Sequence, residues 1–284
     1  MRKILLIFLI LVAVILPSCR SVSTTERATI SVSLLPQKYF LEKIIGDKAS
    51  IHVLVPKGNN PELYDPSPQD IATLQSSVAY FAVGTLPFEK QWMVSLPDSV
   101  KVVEISQFVP QDIIFSHDGE HTHAHVYGDP HYWTSLTGGR AMAEAMLSEA
   151  IKLFPEEADQ FRENYDQELL PVFTEVETLG NNVFKDRPKV AFVIYHPSLS
   201  LFADEWGLTQ LSIEENGIEP TPRHLVRLIE KAKSMETRAV FVQKEYDTKS
   251  CYNVAQQLGI EILQVQPLAE DWAEEMTRLI KAFE

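Results

Sequence analysis

Five of the eight histidines in this 284-residue chain lie between positions 117 and 131. Four stand in a polar run: His117, His121, His123 and His125. The fifth, His131, follows an Asp-Pro pair, and Asp129 could form the turn there or accept a hydrogen bond that orients the ring. Imidazole is the commonest transition-metal ligand at neutral pH, because it offers a lone pair without first losing a proton. We expect the polar run to capture metal loosely and His131 to hold it in fixed geometry. The alternative is an exposed loop that is merely rich in histidine.

Other side chains of the right chemical type stand at or near the ends of strands that the sequence predicts. His196 and Gln266 each follow an apolar strand directly, and Glu62 lies in a loop after another. Functional residues of parallel sheets sit on loops at the carboxyl ends of strands, so all three are candidate metal ligands. For Glu62 the alternative is a solvated loop charge, and for Gln266 it is backbone capping. His52 and His224 fall inside a predicted strand and helix, where packing or surface roles are expected.

The cysteine count limits the ligand chemistry. Cys19 and Cys251 are the two cysteines of the chain. If Cys19 is lipidated, no partner remains for an internal disulfide, and a thiolate zinc site is excluded by the same count. Any metal must then be held by histidine, carboxylate or amide oxygen.

The first residues predict export. Arg2 and Lys3 precede an unbroken apolar run at 4–16, which is too short to span a bilayer and fits a signal-peptide core. The sequence Leu-Pro-Ser-Cys that ends at Cys19 resembles a bacterial lipobox, although its proline departs mildly from the usual pattern. We therefore predict a lipoprotein signal peptide at 1–18, a lipid anchor on Cys19 and a polar tether at 19–27. An ordinary secretory signal with an incidental cysteine is the alternative. In the lipoprotein reading, the protein is anchored to the cell-envelope membrane and faces the periplasm or the exterior.

The charge argues against one class of partner. The formal net charge is −14, and removing Arg2 and Lys3 with the signal leaves 23 basic against 39 acidic residues, a charge of −16. Nucleic-acid binding needs a basic face that neutralises phosphates, so nucleic acid is not expected as a partner.

Strand and helix signals alternate along most of the chain. The mature part, about 265 residues, exceeds the usual size of a single core, so two lobes are expected. Alternation of this kind predicts mainly parallel sheets with helical crossovers. We assign an N-terminal α/β lobe to 28–138, a helical region to 139–187 and a C-terminal α/β lobe to 188–284. Within the helical region a helix from Pro155 to Phe184 would be roughly 45 Å long, kinked or interrupted at Pro171.

Several segments together resemble the metal-binding receptors of bacterial ABC importers for zinc and manganese, the TroA-like group. The resemblance covers essentially the whole mature chain, and its histidine-rich loop is typical of zinc-type members. It implies two α/β lobes joined by one long helix, a metal ion in the cleft between them, and limited lobe motion. It also implies delivery of the ion to the importer's permease and ATPase by a monomer. The matching segments are 56–70, 128–133, 195–196, 217–222 and 265–268.

Two positions depart from the family pattern. The family usually has histidine where this chain has Glu62, and aspartate where it has Gln266. The implied ligands are Glu62, His131 and His196, with Gln266, water or a loop histidine in the fourth position. One carboxylate and two imidazoles suit tetrahedral Zn²⁺, whereas Mn²⁺ prefers more oxygen ligands and a higher coordination number.

Two other function classes share part of this evidence. A zinc hydrolase can also use two histidines, a glutamate and water, but the chain has no His-Glu-x-x-His and no Gly-x-Ser-x-Gly motif. A surface adhesin or a zinc-storage lipoprotein would share the same expected fold.

The histidine-rich run gives the first testable prediction. Deleting residues 117–125 should remove weaker, additional zinc equivalents and leave the principal site intact, because the two use different ligands. Calorimetric zinc titration of the deletion variant beside the full chain measures both classes of site. Extra equivalents that persist after the deletion would contradict this assignment.

Overall fold

The computed structural model describes residues 27–111, 129–185, 190–214, 218–246 and 248–284. The predicted signal peptide, the lipidation site Cys19 and the four histidines at 117–125 lie outside these ranges. Within them, no helix combines the length and the apolar character that crossing a membrane requires.

The N-terminal lobe is built on a four-stranded parallel sheet with strand order β2-β1-β3-β4. Every residue of β3 is buried, as expected of a central strand covered on both faces. Its elements, in chain order, are β1 (Thr29–Val32), α1 (Leu35–Ile45), β2 (Ser50–Val53), α2 (Pro68–Ser76), β3 (Ala79–Ala82), α3 (Pro87–Met93) and β4 (Lys101–Glu104).

A helical region follows the first lobe. It comprises α4 (Leu136–Leu153), a 3₁₀ turn (Pro155–Glu157), α5 (Ala158–Asn164), a π-helical turn (Tyr165–Leu169) and α6 (Leu170–Phe184). From Pro155 to Phe184 the chain stays helical, so the predicted long helix is confirmed. Pro171 has no backbone N–H to donate, and it falls in the first turn of α6, directly after the π-helical turn. The π-helical turn therefore lies where the proline would otherwise interrupt the backbone hydrogen bonds of the α-helix.

The C-terminal lobe repeats the design of the first. Its sheet is also four-stranded and parallel, with order β6-β5-β7-β8. The predicted fold class, two parallel α/β lobes joined by a long helix, is therefore confirmed. The elements are β5 (Val190–Ile194), α7 (Ser200–Trp206), β6 (Thr209–Ser212), α8 (Pro222–Lys233), β7 (Glu236–Gln243), α9 (Lys249–Leu258), β8 (Ile262–Val265) and α10 (Trp272–Lys281).

Aromatic packing joins the two lobes to the long helix. Phe40 of α1, Phe173 of α6 and Trp272 of α10 have ring centroids 5.2–5.9 Å apart, so each structural unit contributes one ring. Phe40 and Phe173 are fully buried, and Trp272 is nearly so. Aromatic pairs at this separation add to the stabilisation from buried area. The lobes therefore share one apolar core instead of packing as independent bodies.

Hydrogen bonds reinforce this junction. The Trp133 indole donates to the carbonyl of Pro267 at 2.9 Å, and the Thr134 hydroxyl donates to the carbonyl of Ser198 at 2.9 Å. The Glu205 carboxylate of α7 accepts the first backbone N–H groups of α4, from Leu136 at 2.6 Å and from the next residue at 2.8 Å. A helix N-terminus has unpaired donors, and here a side chain of the other lobe satisfies two of them. Such a junction resists wide hinge motion.

Two glycines allow helices to approach this junction closely. A Cβ placed on Gly180 of α6 would lie 2.2 Å from the indole of Trp206 in α7. A Cβ on Gly139 of α4 would lie 2.6 Å from the Trp272 ring. Both distances are far below van der Waals contact, so glycine is required here by space and not by backbone conformation.

Replacing Gly180 tests this packing. Alanine is favoured over glycine in a helix by about 1 kcal/mol, but overpacking against Trp206 costs about 1–3 kcal/mol. We expect Gly180→Ala to lower the free energy of unfolding by about 1 kcal/mol, measured by urea denaturation. Thr178→Ala, at an exposed position of the same helix, is the control and should not destabilise. A more stable Gly180→Ala protein would show that α6 and α7 do not pack this closely.

A candidate metal centre between the lobes

Three side chains from distant parts of the chain meet at the junction of the lobes. Glu62 lies in the loop after β2, His131 immediately precedes the turn that leads into α4, and His196 follows β5. Both histidines are buried, and the Glu62 side chain is 26% exposed. The structure thus brings together three of the four side chains that the sequence analysis proposed as ligands.

The contact distances define a small triangle of ligand atoms. Nε2 of His196 lies 3.3 Å from Nε2 of His131, and Oε1 of Glu62 lies 3.4 Å from the first and 3.7 Å from the second. A point equidistant from these atoms is about 2 Å from each, which is the length of a zinc–nitrogen or zinc–oxygen bond. A tetrahedron with such bonds has edges of about 3.3 Å, so three corners of one are present.

Asp129 fixes the ring of His131. Its Oδ1 accepts from the backbone N–H of His131 at 2.8 Å and contacts the ring Nδ1 at 2.9 Å, while the Ser200 hydroxyl of α7 donates to Oδ2. Burial alone would raise the pKa of Asp129, but the hydrogen bond and charge of His131 and the Ser200 hydroxyl hold that pKa below its ordinary value. A charged carboxylate on Nδ1 leaves Nε2 to face Glu62 and His196.

His196 is held by groups from neighbouring strands. Its backbone N–H donates to the side-chain oxygen of Gln243 at 3.0 Å, and the Gln243 amide donates to Ser198 at 2.8 Å. Its ring Nδ1 lies 3.3 Å from both oxygens of Glu214, and the Tyr246 ring stacks on the imidazole. Burial raises the pKa of Tyr246, and the charges of Glu62 and Glu214 raise it further. Each histidine therefore has a carboxylate on Nδ1 and presents Nε2 to the same point.

Sequence reasoning did not single out Glu214 or Tyr246. Glu214 follows the end of β6 and Tyr246 follows the end of β7, the two neighbours of β5 in the sheet. Both residues therefore follow strands, as His196 does, and this position was the one sequence feature that could have marked them as candidate site residues. Their contact with His196 depends on the strand order, which periodicity does not give.

The fourth position is less well defined. Gln266 follows β8, its backbone N–H donates to Glu275 at 2.8 Å, and it borders a cavity beside Trp133 and Trp272. Among the histidine, cysteine, aspartate and glutamate side chains of the described ranges, no fourth one joins the group. A fourth ligand from those ranges would therefore have to be of another chemical type, such as an amide.

The two other described histidines lie apart from the centre. Nε2 of His52 is 3.5 Å from Asp70, and Nε2 of His224 is 3.3 Å from the carbonyl of Ser212. Burial lowers the pKa of His52 and outweighs the opposing charge of Asp70. Neither residue is part of the ligand triangle.

Comparison with known proteins gives this geometry a context. The family described as "ZnuA: Zinc-uptake complex component A periplasmic" matches residues 30–284. The chain belongs to this family. A crystal structure of ZnuA is 31% identical, with a TM-score of 0.78 over 90% of this chain and 97% of that one. The ZnuA family therefore accounts for both lobes and the connecting helix.

Curated relatives include proteins named for two metals. The zinc uptake protein ZnuA of Bacillus subtilis (strain 168) is 22% identical over 250 residues, 84% of this chain and 77% of the relative. The manganese ABC transporter substrate-binding lipoprotein PsaA of Streptococcus anginosus is 23% identical over 235 residues, 78% of this chain and 74% of the relative. As a ZnuA-family member, this chain is an extracytoplasmic metal-binding receptor of an ABC importer, not an enzyme. The hydrolase alternative is thereby removed.

The charges around His196 make the stability of the metal-free protein depend on pH. Burial lowers the pKa of His196, but the hydrogen bonds and charges of Glu214 and Glu62 outweigh it and raise that pKa to about 9. A group whose pKa is higher in the folded state stabilises the fold fully below its unfolded pKa of about 6.5. That contribution is lost as the pH rises through the folded value.

We therefore expect the free energy of unfolding of the metal-free protein to contain a component that falls between pH 6.5 and pH 9. Urea denaturation in the presence of a chelator measures the total free energy of unfolding at both pH values. Glu214→Gln keeps the size of the side chain but removes one of the two charges, so its decrease should be smaller than that of the parent protein. An equal decrease in both proteins would show that Glu214 does not act on His196.

Proposed function

We propose that this protein binds zinc with high affinity outside the cytoplasm and delivers it to the permease and ATPase of an ABC importer. The observation that carries the proposal is the triangle of Glu62, His131 and His196, whose ligand atoms lie 3.3–3.7 Å apart. These three side chains are proposed to bind the ion, and Gln266, water or a loop histidine completes the tetrahedron.

The choice of zinc over manganese rests on the ligand set. Two imidazole nitrogens and one carboxylate are borderline ligands, which suit Zn²⁺ in four-coordinate geometry. Mn²⁺ favours more oxygen ligands and higher coordination, and no second carboxylate of the described residues reaches the triangle. Asp129 and Glu214 face the far ring nitrogens and are used to orient the histidines.

The charges near the ion support its retention. Zn²⁺ with Glu62 alone would leave a charge of +1 in a mostly buried site, which is unfavourable without nearby compensation. Asp129 and Glu214 supply two further negative charges, one behind each ring. Orienting carboxylates of this kind also strengthen the imidazole as a ligand, and their loss typically lowers metal affinity 10–100-fold.

We propose the same cellular setting that the sequence predicts. The Leu-Pro-Ser-Cys sequence at 16–19 supports cleavage before Cys19 and a lipid anchor in the cell-envelope membrane. The related PsaA is named as a lipoprotein, and the matching family as periplasmic. In this setting the protein acts as a monomer, and the four histidines at 117–125 serve as auxiliary sites of metal capture.

Substitution of the ligands tests the assignment. Glu62→Ala and His131→Ala should each raise the Kd for zinc at least tenfold, because each removes one of three protein ligands. Competition with a chelator measures the Kd, and Glu175→Ala on an exposed position of α6 is the control that should bind normally. An unchanged Kd in both ligand variants would contradict the assignment of these residues as ligands. Displacement of zinc by manganese at equal concentration would contradict the choice of zinc over manganese.

The same variants separate transport from storage or adhesion. Cells whose zinc uptake depends on this chain should accumulate zinc with the parent protein and Glu175→Ala, but not with His131→Ala. Equal uptake by cells that lack the chain, under zinc limitation, would contradict the importer assignment.

A further inference from the structure

One buried hydroxyl links the two chain segments that carry the histidine ligands. Thr134 ends the 3₁₀ turn that follows His131, and it is 3% exposed. Its Oγ1 lies 2.8 Å from the carbonyl oxygen of His131 and 2.9 Å from that of Ser198. A threonine hydroxyl has one hydrogen to donate, so the two carbonyl oxygens share it in a three-centre hydrogen bond. A single side chain thus joins the backbones of the two segments.

The backbone on the His131 side is fixed to the N-terminal lobe. The Pro130 carbonyl accepts a hydrogen bond from the Thr85 hydroxyl at 3.1 Å. The Tyr132 hydroxyl donates to the Val83 carbonyl at 2.9 Å, and this contact is buried. Both neighbours of His131 in the chain are therefore anchored to the loop after β3, so the backbone of this histidine has a defined position in its lobe.

The backbone on the His196 side is fixed within the C-terminal lobe. The N–H of Ser198 donates to the His196 carbonyl at 2.8 Å. The side chain of Gln243, at the end of β7, accepts from the His196 N–H at 3.0 Å and donates to the Ser198 hydroxyl at 2.8 Å. All three residues are buried. His196 and Ser198 therefore move as one unit, and a bond to the Ser198 carbonyl acts on the position of His196.

Thr134 thus connects two rigid segments whose histidines face each other. The Nε2 atoms of His131 and His196 are 3.3 Å apart, about the edge of a tetrahedron around zinc. Ser198 is 2% exposed, so removal of the threonine hydroxyl takes a hydrogen-bond donor from a buried carbonyl. A buried acceptor that loses its donor is costly, and separation of the two segments to admit water relieves that cost.

We propose that Thr134 is a positioning residue that sets the separation of His131 and His196 and thereby strengthens the binding of the ion. The inference rests on the proposed function, since it concerns the ion that these two histidines bind. Thr134 acts through the backbones of the two ligand segments. With its hydroxyl in place, the metal-free protein already holds the two nitrogens at the spacing that the ion requires. Without it, binding must also draw the segments together, and the free energy of that step is lost from the affinity.

The test uses two pairs of proteins that differ at the hydroxyl. Thr134→Val replaces the hydroxyl of the parent with a methyl group, and Thr134→Ala lacks the hydroxyl that Thr134→Ser retains. In each pair, we expect the protein without the hydroxyl to have a Kd for zinc about 3–10-fold higher, measured by competition with a chelator. The visible absorption of the Co²⁺-substituted protein should shift in the same two variants, because looser imidazole ligands change the ligand field. Thr134→Ser should keep the parent spectrum.

A matched control separates positioning from the general effect of losing a threonine hydroxyl. Thr174 is exposed on α6, and its hydroxyl donates to the carbonyl of Leu170 at 2.9 Å. Thr174→Val should therefore bind zinc with the parent Kd. Parent-like Kd values and Co²⁺ spectra in Thr134→Val and Thr134→Ala would overturn the inference. So would an equal loss of affinity in Thr134→Ser and Thr134→Ala, which would assign the effect to packing. If Thr134→Val does not fold, the serine and alanine variants decide the question.

The outcome also remains distinct from that of the proposed function. If Glu62→Ala weakens zinc binding but the variants without the Thr134 hydroxyl bind zinc with the parent Kd, the positioning role fails and the metal site stands. If the parent protein does not bind zinc stoichiometrically, both fail.

Discussion

The close approach of two imidazole nitrogens, 3.3 Å apart and contributed from either side of the lobe junction, is the contact on which the rest of the structure depends. Two lone pairs that face each other beside the Glu62 carboxylate repel unless a positive charge lies between them. In the metal-free protein a proton on His196 supplies that charge, which agrees with its raised pKa. A divalent cation at the same point would replace the proton and satisfy all three ligand atoms. The three ligand atoms therefore repel one another when no positive charge lies between them, and a cation at that point removes the repulsion.

Holding that contact requires a rigid frame, and the fold provides it. The carboxyl ends of the strands in both parallel sheets face the junction. Glu62 lies there in the loop after β2, and His196 follows β5. The shared aromatic core, the cap that Glu205 places on α4, and the helix from Pro155 to Phe184 fix the lobes relative to each other. With the lobes fixed in this way, any change in the spacing of the ligands must come from the loops that carry them.

The sequence predicted most of this frame because its signals are local. The alternation of strand and helix signals predicted the two parallel α/β lobes, and the predicted helix from Pro155 to Phe184 is helical throughout. The π-helical turn before Pro171 was not predicted, because it has no sequence signature of its own. The ligand candidates were found because they follow strands and carry metal-binding groups. Glu214 and Tyr246 were missed because their contacts with His196 arise only when β6 and β7 flank β5.

The two departures from the TroA-like pattern, at Glu62 and Gln266, have opposite effects on the charge of the ligand set. That pattern has histidine at the position of Glu62 and aspartate at the position of Gln266, so it carries one carboxylate in the C-terminal lobe. This chain also carries one carboxylate among the four positions, but in the N-terminal lobe. The proposed ligand set would therefore have the same charge as the set of the family pattern, with its carboxylate in the other lobe. In the proposed site, the Glu62 carboxylate would be attracted to the ion across the cleft, so the bound ion would help to hold the loop against the C-terminal lobe.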